Sequence, residues 1–195
     1  YHFDYWTGAG TADPTSSSTT VSMTTDRNVS AVFAIDQHIL TVTAGIGGSA
    51  IGDGTHDYDT NASVIATPST GYHFDSWTGA GTADSTSAST TVNMTTDRNV
   101  SAVFAIDEYA LIVTAGPNGS TTGDDNYTYE ENASITATPD VGHHFVTWTG
   151  AGVTDPTSAS TTVYMTTDRN VTASFAIDQH VLTVEANSSG SVTGS

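Results

Sequence analysis

The chain has 195 residues, of which 36% are hydrophobic, and it carries a formal net charge of −18 from only three arginines, no lysine and many acids. So acidic a surface repels nucleic acid and anionic membranes, and neither is expected as a partner. Absent cysteine excludes disulfides and thiolate metal sites, absent lysine excludes Lys–Asn isopeptide crosslinks, and no apolar run reaches membrane-spanning length.

The chain opens on YHFDYWTGAG, and near copies follow at 71–81 and 142–152. Trp6, Trp77 and Trp148 are spaced 71 residues apart, as are Met23, Met94 and Met165, and Arg27, Arg98 and Arg169. A fixed period of this kind marks a tandem array. Residues 1–36 read as the C-terminal part of a repeat module, 37–107 and 108–178 as complete modules, and 179–195 as the first strand of a further one. A window cut from a longer array is expected. Strand complementation between identical chains is the weaker alternative, because 1–36 and 179–195 together lack the NASVIATP segment.

Within the first complete module, HILTVTAG (38–45) is β-branched and predicts a strand that ends at glycine. ASVIATP (62–68) predicts a second, closed by Pro68, and YHFDSW (72–77) a third, stopped by TGAG in a turn with positive φ. STTVNMT (89–95) and NVSAVFAID (99–107) complete five strands. In the last, Val100, Ala102, Phe104 and Ile106 face one side, and Ser101, Val103 and Ala105 the other. Helical periodicity is absent throughout. The expected fold is therefore all-β, a tandem array of antiparallel modules of about 71 residues. No Gly-, Pro- or Ser-rich linker separates them, which predicts a semi-rigid rod.

Nothing in the motifs assembles a catalytic centre. Trp6, Trp77 and Trp148, with Phe3, Phe74, Phe145, Phe33, Phe104 and Phe175, read as core or module-interface anchors, the indoles having sugar stacking as their alternative. His2 and Asp4, like His73 and Asp75, lie two apart on a strand, yet His144 is matched with Val146, so a solvated face is the better reading. Arg27, Arg98 and Arg169, each in a TTDRNV turn, are candidates for a junction clamp on a carboxylate, or else for a local pair with the preceding aspartate. Calcium is a candidate ion at the junction carboxylates Asp36, Asp107 and Asp178 and at Asp57 and Asp59; solvation and strand-end capping is the alternative. No other cofactor is expected.

Every asparagine is followed two positions on by Ser or Thr with no intervening proline, so Asn28, Asn61, Asn93, Asn99, Asn118, Asn126, Asn132, Asn170 and Asn187 are all glycosylation candidates. An extracellular, cell-surface location follows as the expectation.

The ordered set LTVTAG, ASVIATPSTGYHFDSWTGAG, TTVNMTTDRNVSAVFA resembles the divergent InlB B-repeat family, found in tandem in large bacterial and archaeal surface proteins. The resemblance covers nearly the whole chain. It implies β-grasp-like or small-sandwich modules serving as stalks and adhesive spacers, and brings no catalytic residues. The expected function is a non-catalytic structural segment of a surface stalk, sheath or filament, with neighbouring repeats of the same or identical chains as partners. An adhesin or carbohydrate-binding module that engages surface glycans through exposed aromatics is the alternative.

Overall fold

The computed structural model describes residues 1–186, 189 and 190, and every regular element among them is a strand. The chain divides into two compact units, Tyr1–Ile106 and Asp107–Ser195. The first unit begins with the antiparallel pair β1 (His2–Thr7) and β2 (Ser30–Ala34). A complete module follows: β3 (Gln37–Ala44), β4 (Gly48–Ile51), β5 (Gly54–Asp57), β6 (Asn61–Pro68), β7 (Tyr72–Thr78), β8 (Ser89–Asn93) and β9 (Arg98–Ile106).

These seven strands form two sheets, ordered β5-β3-β9-β7 and β4-β6-β8, so the chain changes sheet at every connection. Alternation along each strand follows from this arrangement. In β6, Ala62, Val64 and Ala66 are buried between exposed Asn61, Ser63, Ile65 and Thr67, as a strand with one wet face requires. Leu40, Trp77, Val100 and Ala102 from the larger sheet meet Val64, Val92 and Met94 from the side of the smaller one in a single core. The module is thus a small two-sheet sandwich, the second of the two expected shapes.

Pairing within the module is not purely antiparallel. β3 and β9 run parallel, with Leu40 opposite Arg98 and Ala44 opposite Ala102. A parallel pair needs a long crossover, and the five intervening strands supply it. The first and last strands of the module are thereby joined side by side. Two strands more are present than the five expected, because β4 (GSAI) and β5 (GTHD) are four residues long and poor in strand formers.

The second unit repeats the plan with β10 (Glu108–Ala115), β11 (Gly119–Thr122), β12 (Asp125–Thr128), β13 (Asn132–Pro139), β14 (His143–Thr149), β15 (Ser160–Tyr164) and β16 (Arg169–Ile177). Its sheets are ordered β12-β10-β16-β14 and β11-β13-β15, again with β10 and β16 parallel. Ile135 takes the place of Val64 in a core otherwise built from the same positions.

Two features differ from expectation among the described residues at the chain's extremes. Residues 179–186 adopt no strand, and Leu182 is 86% exposed. The equivalent β3 and β10 are each held between two partners, one of them the strand that closes the same module. Phe33, expected as a core or module-interface anchor, is 60% exposed, so it is not in a core here. Its equivalents Phe104 and Phe175 lie against Gly48 and Gly119, where an added Cβ would collide with their rings; among the described residues no strand covers Phe33 in this way.

Candidate functional site

The recurring aromatic string forms β7 and the turn after it. A bulge at Asp75 lets both Phe74 and Trp77 face the core although they are three residues apart, since Phe74 pairs with Phe104 while Ser76, not Asp75, pairs with Val103. The same bulge falls at Asp4 and Val146, which explains why this position tolerates an acid or an aliphatic side chain: it is the extra, outward residue. Trp77 and Trp148 are 3% and 2% exposed, while Trp6 is half-buried. Ring centroids place Phe74 5.8 Å from Trp77 and 6.1 Å from Phe104, and the other two repeats keep this trio.

The indole is also enclosed by the loop that follows it. Trp77 Nε1–H donates to the Ser87 carbonyl at 3.0 Å, and its backbone N–H donates to the Ser85 carbonyl at 2.8 Å. The Trp6 and Trp148 indoles donate likewise to the Ser16 and Ser158 carbonyls, and their backbone N–H groups to the Pro14 and Pro156 carbonyls. Gly79, at φ +110°, allows the entry to this loop: a Cβ there would overlap the Asn99 carbonyl oxygen. Asp84 fixes the tip by accepting from the Thr86 N–H and hydroxyl at 2.8 Å each, while its own N–H donates to Thr90 Oγ1 at 3.0 Å. The Thr86 hydroxyl, then its N–H, holds the Asp84 carboxyl below the usual aspartate range, and Thr15 and Thr157 do likewise for Asp13 and Asp155.

The arginine clamp is corrected. Arg98 Nε donates to the Asn93 carbonyl at 3.3 Å and Nη2 to Thr95 Oγ1 at 3.1 Å; Arg169 makes the same pair with Tyr164 and Thr166, and Arg27 Nη2 reaches Thr24 Oγ1. These bonds staple one turn of one module. The long side chain lies back over Gly81 or Gly152, which leaves room for it and directs the guanidinium to local oxygens. The preceding aspartates, read from sequence only as local partners of the arginines, do the longer-range work. Asp97 Oδ1 accepts from the Ile39 N–H and Asp168 Oδ1 from the Ala110 N–H, both at 2.9 Å, tying the module's last turn to its first strand. Their recurrence beside each arginine is the signal that sequence offered.

The imidazoles pair across strands rather than along them. His2 Nδ1 lies 2.8 Å from Asp36 Oδ1 and His144 Nδ1 2.9 Å from Asp178 Oδ1, so the partner is the junction aspartate, not the bulge residue. Asp57 accepts from Gln37 Nε2 at 2.8 Å, and Asp59 sits at φ +61° with Asn93 Nδ2 at 3.4 Å. Among the described residues no three carboxylate or imidazole side chains gather to hold a metal, so the calcium sets at Asp36, Asp107 and Asp178 and at Asp57 and Asp59 are not assembled.

Of the sequon asparagines, Asn28, Asn61, Asn99, Asn118, Asn126, Asn132 and Asn170 are exposed, Asn93 is half-buried, and Asn187 lies outside the described residues.

Fold and motif together define a tandem-repeat β protein in which each repeated signature is spent on its own module's architecture. The chain belongs to the divergent InlB B-repeat domain family, which matches residues 1–37, 38–108 and 109–179. The family is a repeat domain of bacterial surface proteins. No curated protein and no solved structure matches the chain.

Proposed function

We propose that the chain is a non-catalytic structural segment of an extracellular stalk, sheath or filament, with neighbouring repeats of its own or identical chains as partners. The observation that carries this reading is the internal use of the recurring indoles and guanidiniums: the indoles are enclosed by their own loops and the guanidiniums bound to their own turns. The family's occurrence in surface proteins supports the location. The junctions support a spacer role, since β9 ends at Ile106 and β10 begins at Glu108, leaving one residue between modules.

Electron microscopy of native surface material tests this. Density repeating along an axis at a module-sized interval is the expected result; isolated particles would overturn it. The adhesin alternative draws on tyrosines rather than indoles, because Tyr58 and Tyr164 are 47% and 39% exposed. Glycan-array binding that is lost on Tyr164→Ala, in a protein that stays folded, would move the assignment there.

A further inference from the structure

The sequons are not equivalent, and the fold separates them. One set, Asn28, Asn99 and Asn170, recurs at the same position of every repeat and stands second in β9 and β16. In the two complete modules the buried Val100 or Val171 lies between the asparagine and its hydroxyl partner, Ser101 or Thr172, so both sequon side chains project from the outer face of the four-stranded sheet. Asn99 opens onto a shallow recess of about 160 Å³ walled by Thr41, Thr43, Thr78 and Ser101. Its rim includes Gly79, where an added Cβ would meet the Asn99 backbone carbonyl, and Gly8 and Gly150 stand in the same relation to the carbonyls of Asn28 and Asn170. In the second module the wall keeps Thr114 and Thr149 but replaces Thr41 with Ile112.

Asn93 contrasts on each count. It is half-buried, its amide lies 3.4 Å from both Asp59 Oδ1 and Asn61 Oδ1, and the hydroxyl of its sequon, Thr95, is occupied by Arg98. Its equivalents in the other repeats are Ser22 and Tyr164, so the sequon does not recur. Asn61 is its direct cross-strand partner, and two adjacent glycans there would share the space of one side-chain pair.

We propose that Asn99 and Asn170, with Asn28 by repetition, carry N-linked glycans on the outer sheet face, while Asn93 stays bare; this rests on the extracellular reading above. The donor class is a lipid-phosphate-linked oligosaccharide. The asparagine amide nitrogen attacks the sugar's anomeric carbon. A C–N bond forms as the C–O bond to phosphate breaks. The lipid phosphate leaves with the electron pair, and the amide proton passes to the transferring enzyme's base.

Glycopeptide mass spectrometry of the protein isolated from its own cells tests the assignment. Peptides spanning Asn99 and Asn170 should carry sugar mass and the Asn93 peptide should carry none. Asn99→Gln and Ser101→Ala should each abolish modification at that position alone, with Asn170 still modified as the internal control. Bare Asn99 and Asn170 peptides from surface-extracted protein would overturn the proposal while leaving the stalk reading intact. Modification that persists in Ser101→Ala, or that is as complete at Asn93 as at Asn99, would overturn it equally. Recovery of the protein only from the cell interior would remove the extracellular reading and this proposal together.

Discussion

At the scale of single residues, the repeated aspartate of the capping loop makes the clearest quantitative case. Asp84 and Asp155 each accept two hydrogen bonds from a threonine two residues on, and these stabilise the charged carboxylate. Their folded pKa lies below the ordinary value of 3.8, so the unfolded chain takes up protons first as the pH falls. The stabilisation is therefore complete above that value and is lost as pH drops through the folded pKa. Asp155→Asn keeps the accepting oxygen and removes the charge. The variant should melt below the wild type at pH 7, and the gap should close as the pH is taken from about 4 downward. Calorimetry across that window checks it; a gap independent of pH would mean that shape, not charge, holds the loop. The tryptophan beneath the loop was legible in sequence as an anchor candidate by its strict recurrence. The bulge that aims it was not, because a bulge adds one residue without changing the composition of the strand.

At the scale of elements, the two modules act as natural variants of one another. Tyr127 on β12 donates from its hydroxyl to the Gly123 carbonyl at 3.0 Å, whereas the equivalent His56 on β5 has Nε2 buried with no hydrogen-bond partner. The shorter imidazole stops where the phenol ring carries its hydroxyl onward. An unsatisfied buried polar atom costs about 1–3 kcal/mol, and a new neutral hydrogen bond contributes about 1 kcal/mol. His56→Tyr should accordingly stabilise the first module by about 1 kcal/mol, read as a rise in its chemical-denaturation midpoint at unchanged slope. An unchanged or lowered midpoint would show that the first module cannot seat the larger ring. The long strands were legible because β-branched runs and alternation mark them. The four-residue β4 and β5 were not, since their residues become strands only through the neighbours that pair with them. The parallel closure of β3 on β9 escaped for a related reason: 58 residues separate Leu40 from Arg98, and no local pattern records a partner that distant.

At the scale of the whole chain, each complete module holds its own core and closes its first strand against its last, so residues 37–107 alone should fold cooperatively, with dispersed amide resonances as the check. Charge then sets how that stability responds to the medium. A net charge of −18 repels itself most strongly when the chain is compact, and unfolding relieves the strain. Raising salt from about 0.01 M to about 0.15 M shortens the screening length from about 30 Å to about 8 Å, which weakens repulsion between carboxylates spread over a module. Salt would also weaken favourable ion pairs, but the arginines bind carbonyl and hydroxyl oxygens, so little attraction is there to lose. Repulsion wins, and the melting temperature should rise with sodium chloride. Because no three ligands gather for a cation among the described residues, calcium at matched ionic strength should give the same rise and no more. A fall with salt would mean that specific ion pairs dominate, and an extra increment from calcium would mean that carboxylates of this chain assemble around the ion when it is supplied.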